Sequence, residues 1–195
     1  MNFHKTHKSF ILASGSPRRK ELLDTLGIPF EVFVSDVDES FPTNLGPEQV
    51  PGLLSLRKAQ AVAIERPDSL ILASDTVVVL DGSILNKPKD ENEARLMLKS
   101  LSGKTHFVYT AFTLLHSEGQ KTISDRSNVR FKVLSDNEID HYIQNGKPYD
   151  KAGSYGIQEW IGLIAVERIE GSYFTVMGLP THLVWKELVE GGHLM

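Results

Sequence analysis

The chain has 195 residues, 41% of them hydrophobic and 24% charged, with a net charge of −4 and no cysteine. The length suits one domain, or two small lobes sharing a core. The missing cysteines exclude disulfides, thiolate zinc sites and cysteine nucleophiles. The charge excludes a generally basic nucleic-acid footprint, so any electropositive pocket has to be local.

The first eight residues are polar and basic, and His4 and His7 fall in this expectedly flexible end. The apolar run behind them, Phe10-Ile11-Leu12-Ala13, is shorter than the roughly 7–15 residues of a secretory signal. No stretch approaches the ~20 apolar residues of a membrane span, so a soluble cytoplasmic protein is expected.

A strand is expected over 10–14. Ser14-Gly15-Ser16-Pro17-Arg18-Arg19 follows, and then the helical pattern Lys20-Glu21-Leu22-Leu23-Asp24-Thr25-Leu26, closed by Gly27. Ser16 suits the N-cap and Pro17 the first helical position, giving a helix over 17–26. Arg18 and Arg19 then lie in the first turn, where the dipole is already positive. Each costs a few tenths to about 1 kcal/mol there. A bound anion offsets that cost, because helix-start N–H groups and two guanidinium forks make a phosphate receptor.

A second strand is expected over 30–36, then an acidic turn, Asp36-Val37-Asp38-Glu39-Ser40. Residues 47–65 read as a helix blurred at its start by Pro51 and Gly52. The run 70–80 reads as a buried strand interrupted by Ser74-Asp75-Thr76, and Asp81-Gly82 as a tight turn. A helix over 91–101 is capped by Asp90. Strands over 106–115 and 121–134 are joined by His116-Ser117-Glu118-Gly119 as an antiparallel hairpin. A helix over 135–145 has Ser135 as cap and Glu138 at the capping-box position. Two strands are expected to flank Glu170-Gly171-Ser172, and Gly178-Leu179-Pro180 reads as a strand-to-helix connection into a last helix from about Pro180 to Val189. The alternation points to a mixed α/β sheet.

Asp75 breaks the apolar pattern of its strand. An ionised carboxylate there is costly unless paired, hydrogen-bonded or bound to metal. It is either a functional group or a strand-end carboxylate satisfied by backbone N–H groups. Thr76 faces the other side of a regular strand. Glu39 alone reads as solvated surface, but two carboxylates brought together could hold a divalent cation. Hard oxygen ligands and phosphate favour magnesium or manganese. Lys58 reads as a surface lysine on a helix, and Lys87 sits in an extended loop fixed by Pro88. Gln158, in Asp150-Lys151-Ala152-Gly153-Ser154-Tyr155-Gly156-Ile157-Gln158, offers a donor and an acceptor to a base edge or simply sits in a turn. Ser102-Gly103-Lys104-Thr105 imitates a Walker A end, but Leu98 stands where that motif needs glycine.

Taken in order, these pieces resemble the Maf family of nucleotide pyrophosphatases. The matching segments are Leu12-Ala13-Ser14-Gly15-Ser16-Pro17-Arg18-Arg19, Glu21-Leu22-Leu23, Ser74-Asp75-Thr76-Val77-Val78, Lys87-Pro88, Leu101-Ser102-Gly103-Lys104-Thr105-His106, Val108-Tyr109-Thr110-Ala111, residues 150–158, Gly171-Ser172-Tyr173 and Gly178-Leu179-Pro180. The resemblance implies one domain over 1–195 with a mixed, twisted central sheet flanked by helices, similar to inosine triphosphatases, in two lobes with a cleft between them. It implies hydrolysis of a nucleoside triphosphate to the monophosphate and pyrophosphate, a house-cleaning role, and an association with septum formation.

Arg18, Thr76 and Gln158 look like the specificity positions of the dTTP/UTP branch. The alternatives are a modified nucleotide such as 7-methyl-GTP, or a nucleotide-sensing regulator of septum formation without turnover. By the same resemblance Asp75 is the catalytic proton acceptor and Ser14, Arg19, Lys58 and Lys87 contact substrate or phosphate. Glu39 matches another pocket position, and Glu39 and Asp75 together are expected to hold a divalent cation, Mg2+ or Mn2+. No nucleic acid or membrane is an expected partner, and the resemblance allows a homodimer.

Overall fold

The computed structural model describes residues 9–194. The expectation for residues 1–8, with His4 and His7, lies outside them.

Seven strands form one sheet among the described residues. They are β1 (Phe10–Leu12), β2 (Glu31–Val32), β3 (Leu70–Leu80), β4 (Ser83–Leu85), β5 (Thr105–His116), β6 (Gly119–Phe131) and β7 (Val166–Glu170). The order is β2-β1-β3-β5-β6-β7, with β4 paired to β3. The sheet is mixed, since β1 runs parallel to β2 and β3, whereas β4 on β3 and β7 on β6 are antiparallel. The helices are α1 (Pro17–Thr25), α2 (Val50–Glu65), α3 (Glu91–Leu101), α4 (Asp136–Gly146), α5 (Trp160–Ala165), α6 (Tyr173–Met177) and α7 (Thr181–Glu190).

The chain divides into two compact units. The first takes the chain through Asp75, Thr110–Asp125 and the chain from Gly178; the second takes Thr76–Tyr109 and Arg126–Met177. In the first, Ile11, Ala13, Ile71 and Ala73 of β1, its extension and β3 pack with Ala59 and Val62 of α2, all at 4% exposure or less. Small residues alternate with branched ones here, so α2 lies close on the sheet. A hydroxyl chain reinforces the contact: Ser55 of α2 meets Thr113 of β5 at 2.9 Å in the interior, and Thr113 meets Thr122 of β6 at 2.8 Å toward the surface.

In the second unit, α3 and α4 are capped as their sequences predict. Asp90 accepts from the Glu93 N–H, and Ser135 and Glu138 form a complete capping box. His106 of β5 is fully buried between Phe131 and Tyr155, both edge-on to it.

Several expectations are corrected. The strand expected over 30–36 pairs only at Glu31–Val32, because β1 offers partners only at Ile11 and Leu12; beyond them Phe33 still packs against the core. Ser74-Asp75-Thr76 do not interrupt β3, which runs unbroken through them. The strand expected to 134 ends at Phe131. Only one strand borders Glu170-Gly171-Ser172. Gly171, at φ 116°, turns the chain from β7 into α6 rather than into a second strand. Gly178-Leu179-Pro180 accordingly joins α6 to α7, helix to helix. Ser16 precedes α1 and Pro17 opens it, but the Ser16 side chain makes no capping hydrogen bond. α5 has no counterpart in the sequence reading.

Candidate active site

β1 delivers the chain to α1 through Ala13 and Ser14, both buried. The first turn of α1 carries no acidic residue beside Arg18 and Arg19. Arg19 turns back across the helix start. Its Nη1 donates to Ser14 Oγ at 3.0 Å and its Nε to the Gly178 carbonyl at 2.8 Å. Burial lowers the pKa of this guanidinium. Asp75 acts against that shift, Arg18 adds to it, and Glu39 again opposes it. The neighbours of the Arg19 charge are thus a second arginine and two carboxylates.

Gly178 is a hinge of hydrogen bonding. It has φ 109°, a backbone region L side chains rarely adopt, and its carbonyl receives Ser74 Oγ at 3.2 Å besides Arg19. Ser74 Oγ also donates to the Ala111 carbonyl at 2.8 Å. The residue before Asp75 is thereby tied to β5 and to the carbonyl that positions Arg19.

Asp75 occupies β3 with its side chain 13% exposed. Lys58 of α2 donates from Nζ to Asp75 Oδ1 at 2.7 Å and pairs with Glu39 Oε1 at 2.7 Å. One ammonium thus bridges two carboxylates from separate segments. The acidic turn that carries Glu39 is organised by Arg57, the residue before Lys58. Its Nη1 donates to the carbonyls of Asp38 and Ser40. Ser40 closes the turn, its N–H donating to Asp38 Oδ1 at 2.9 Å and its hydroxyl to Oδ2 at 2.6 Å, which holds the Asp38 carboxyl below its usual range.

The structure therefore gathers Ser14, Arg18, Arg19, Glu39, Lys58 and Asp75 in the first unit. A spread of cationic forks and one ammonium faces two carboxylates, which is the charge pattern that handles phosphate esters with water or a cation.

A family model described as Maf-like protein matches residues 9–190. The chain belongs to the Maf-like family. A protein of Porphyromonas gingivalis named dTTP/UTP pyrophosphatase is 50% identical over 186 residues, 93% of this chain and 94% of that protein. Relatives of the same name from Bacillus cytotoxicus and Thermotoga maritima are 50% identical over 181 residues and 49% over 184. The alignments take 93% of this chain in both cases, with 94% and 89% of the relatives. Among solved structures, the Ham1 protein of Staphylococcus aureus is 14% identical with a TM-score of 0.49, over 64% of this chain and 72% of that one.

The remaining residues expected at the site, Thr76, Lys87 and Gln158, belong to the second unit. Thr76 follows Asp75 on β3 and is half-buried, and Lys87 is exposed between β4 and α3. Gln158 is half-buried in the turn before α5, and its Oε1 is buried without a hydrogen-bond partner.

The sequence reading missed Arg57, whose only signal was its place beside Lys58. It also missed the Gly178 carbonyl, a backbone acceptor that no side-chain motif announces. No helix among the described residues is long and apolar enough to cross a membrane.

Proposed function

We propose that this Maf-like protein hydrolyses dTTP and UTP to the monophosphates and pyrophosphate, clearing nucleotides from the pool. The observation that carries the reading is the cluster of Arg19, Lys58, Asp75 and Glu39 at the start of α1, in a chain half identical to proteins named for that activity.

Arg18 and Arg19, with the α1 N–H groups, bind the triphosphate. Ser14 and the Gly178 carbonyl hold Arg19 at two points, so its guanidinium is oriented before substrate arrives. Asp75 orients a water against the α-phosphorus and takes its proton. A new oxygen–phosphorus bond forms as the bond to the bridging α–β oxygen breaks, and pyrophosphate leaves with that oxygen. Lys58 neutralises charge near Asp75 and Glu39, and Lys87 adds a cation from its loop. Thr76 and Gln158, with Arg18, select the pyrimidine. A site built to hydrogen-bond a base edge rejects bases that leave its polar groups unpaired.

The donor set fits a divalent cation. Two carboxylates converge on a single positive charge at 2.7 Å each, and hard oxygen donors of this number leave the other positions to water and phosphate. Glu39 and Asp75 would hold Mg2+ or Mn2+. Such an ion, when bound, supplies charge at the phosphate oxygens and acidifies water.

The test is pyrophosphate release over a panel of dTTP, UTP, CTP, purine triphosphates and 7-methyl-GTP, with and without EDTA. Release from dTTP and UTP above the rest, lost with EDTA and restored by Mg2+ or Mn2+, is the expected result. Preference for 7-methyl-GTP would overturn the substrate assignment. Tight nucleotide binding without pyrophosphate would leave a sensing role instead.

A further inference from the structure

Gln158 does not sit in an irregular loop. The Glu159 N–H donates to the Gly156 carbonyl at 3.0 Å, so Gly156-Ile157-Gln158-Glu159 is a closed four-residue turn with Ile157 and Gln158 at its tip. A single buried hydroxyl holds both ends of that turn. Tyr142 of α4 is 2% exposed; its Oη accepts from the Gly156 N–H at 3.1 Å and donates to a carboxylate oxygen of Glu159.

Glu159 stands at the N-cap of α5 but does not cap it. Its carboxylate is turned to Tyr142 and to Lys151 Nζ at 3.1 Å, and Lys151, 8% exposed at its side chain, also pairs with Asp150 at 2.7 Å.

Three glycines lie in close contact with this clamp. A Cβ on Gly146 would come within 2.5 Å of the Tyr142 ring, one on Gly156 within 2.7 Å of the Glu159 carboxyl carbon, and one on Gly162 within 1.9 Å of the Ile157 carbonyl oxygen. Glycine at these positions lets ring, carboxylate and turn approach one another. Upstream, Tyr155 Oη meets His106 Nε2 at 2.8 Å, a second buried tether on the same segment. So much buried polar structure around a four-residue turn is more than is needed to end a loop. A buried hydroxyl left half-satisfied would be costly, so the arrangement fixes one turn geometry.

We propose that Tyr142, with Glu159 and Lys151, is a specificity-determining positioning element that sets the turn presenting Gln158 to the pyrimidine edge. The inference rests on the reading that Gln158 reads the base. Tyr142 touches no substrate. It acts by fixing the direction of the Gln158 side chain, whose buried Oε1 lacks a protein donor. Loss of the hydroxyl frees the Gly156 N–H and one carboxylate oxygen together, and the turn loses both anchors.

UTP and CTP differ only at the base edge, so the ratio of their kcat/KM values reads this geometry. The ratio is measured for the parent, Tyr142→Phe, Gln158→Ala and the double variant. Tyr142→Phe is expected to lower the UTP preference about tenfold, through KM for UTP, with kcat for UTP within about threefold of the parent. Gln158→Ala is expected to lower it at least as far, and the double variant no further than Gln158→Ala alone.

A merely structural role would lower kcat for both nucleotides together and leave the ratio unchanged; that result in Tyr142→Phe overturns the proposal. Additive effects in the double variant overturn it as well. Where Tyr142→Phe does not fold, Glu159→Ala removes the acceptor of the Tyr142 hydroxyl and the carboxylate facing Lys151, and so takes away one of the two anchors. A folded Glu159→Ala with the parent ratio has the same overturning force. If Gln158→Ala keeps the parent ratio, the base-reading assignment fails and takes the proposal with it. If Gln158→Ala shifts the ratio and Tyr142→Phe does not, only the proposal fails.

Discussion

Replacing Asp75 with Asn separates chemistry from binding. The substitution keeps shape and an acceptor for Lys58 but removes the proton acceptor. Lys58 retains Glu39 at 2.7 Å as a charged partner, so its ammonium is not stranded. The lost pair is neither exposed nor deeply buried, at 16% and 13% side-chain exposure. An exposed pair contributes at most about 1 kcal/mol and breaking a buried one costs about 3–5. With Glu39 still in place the stability cost is about 1 kcal/mol, a Tm fall of about 2–4 °C for a chain of this size. General-base help is worth about 10²–10⁴ in rate, or about 3–5 kcal/mol on the barrier. Turnover therefore falls far more than stability. Removal of a negative charge beside the phosphates offsets the loss of one carboxylate ligand to the cation, so KM for dTTP and UTP changes little. Pyrophosphate release gives kcat, calorimetric titration with a non-hydrolysable UTP analogue gives affinity, and a thermal melt gives stability. A variant turning over UTP within threefold of the parent would refute the role given to Asp75.

Arg19→Lys keeps the charge but cannot reach both Ser14 Oγ and the Gly178 carbonyl from a single ammonium. A fall of about 10–100-fold in kcat/KM is expected, roughly 1.4–2.7 kcal/mol by steady-state kinetics, with an unchanged circular dichroism spectrum. Lys58→Met leaves Glu39 and Asp75 without the ammonium between them, so Mn2+ binding in the absence of nucleotide is expected to tighten while kcat falls. Free Mn2+ followed by electron paramagnetic resonance checks the first and pyrophosphate release the second.

His106 supplies a pH prediction. Burial depresses its pKa from 6.5 to about 4, so the folded protein keeps it neutral where the unfolded chain protonates. Its contribution is complete above pH 6.5 and is lost as pH falls toward 4, about 3 kcal/mol across that window. Thermal melts from pH 7 to 4.5 are expected to show a falling Tm, with a shallower slope for His106→Leu.

The parts of the fold that sequence made legible are those fixed by local chemistry. Pro17 after Ser16 opens α1, Asp90 and Ser135 cap α3 and α4, and the apolar run 70–80 is a buried strand. The misses share a cause. Phe33 and Val34 have strand-like side chains, but pairing depends on a neighbour, and β1 offers one only at Ile11 and Leu12. Tyr173 and Phe174 favour a strand by type, yet Gly171 turns the chain and the segment closes a short helix. Trp160-Ile161-Gly162 looks unpromising for a helix because of its glycine. Gly162 is there since α5 must pass against the Ile157 carbonyl, a contact no propensity encodes.

The candidate site was legible where the proposed function conflicts with local stability. Two arginines at a positive helix end and a carboxylate in an apolar strand are each unfavourable alone, and the structure shows what offsets them. Arg19 finds a hydroxyl and a carbonyl, and Asp75 finds Lys58. Lys58 looked like surface because a lysine on a helix usually is; only the arrival of two carboxylates from 19 residues before it and 17 after distinguishes it. Arg57 and Gly178 were illegible for a deeper reason. They act on or through backbone carbonyls, and every residue has one, so sequence offers no contrast to read. Positions of that kind orient the charged groups while leaving the motif unchanged. Two chains with the same Ser-Pro-Arg-Arg and Ser-Asp-Thr could therefore differ in rate through residues such as Arg57 and Gly178, and it is there that substitutions should alter turnover without altering which groups touch the nucleotide.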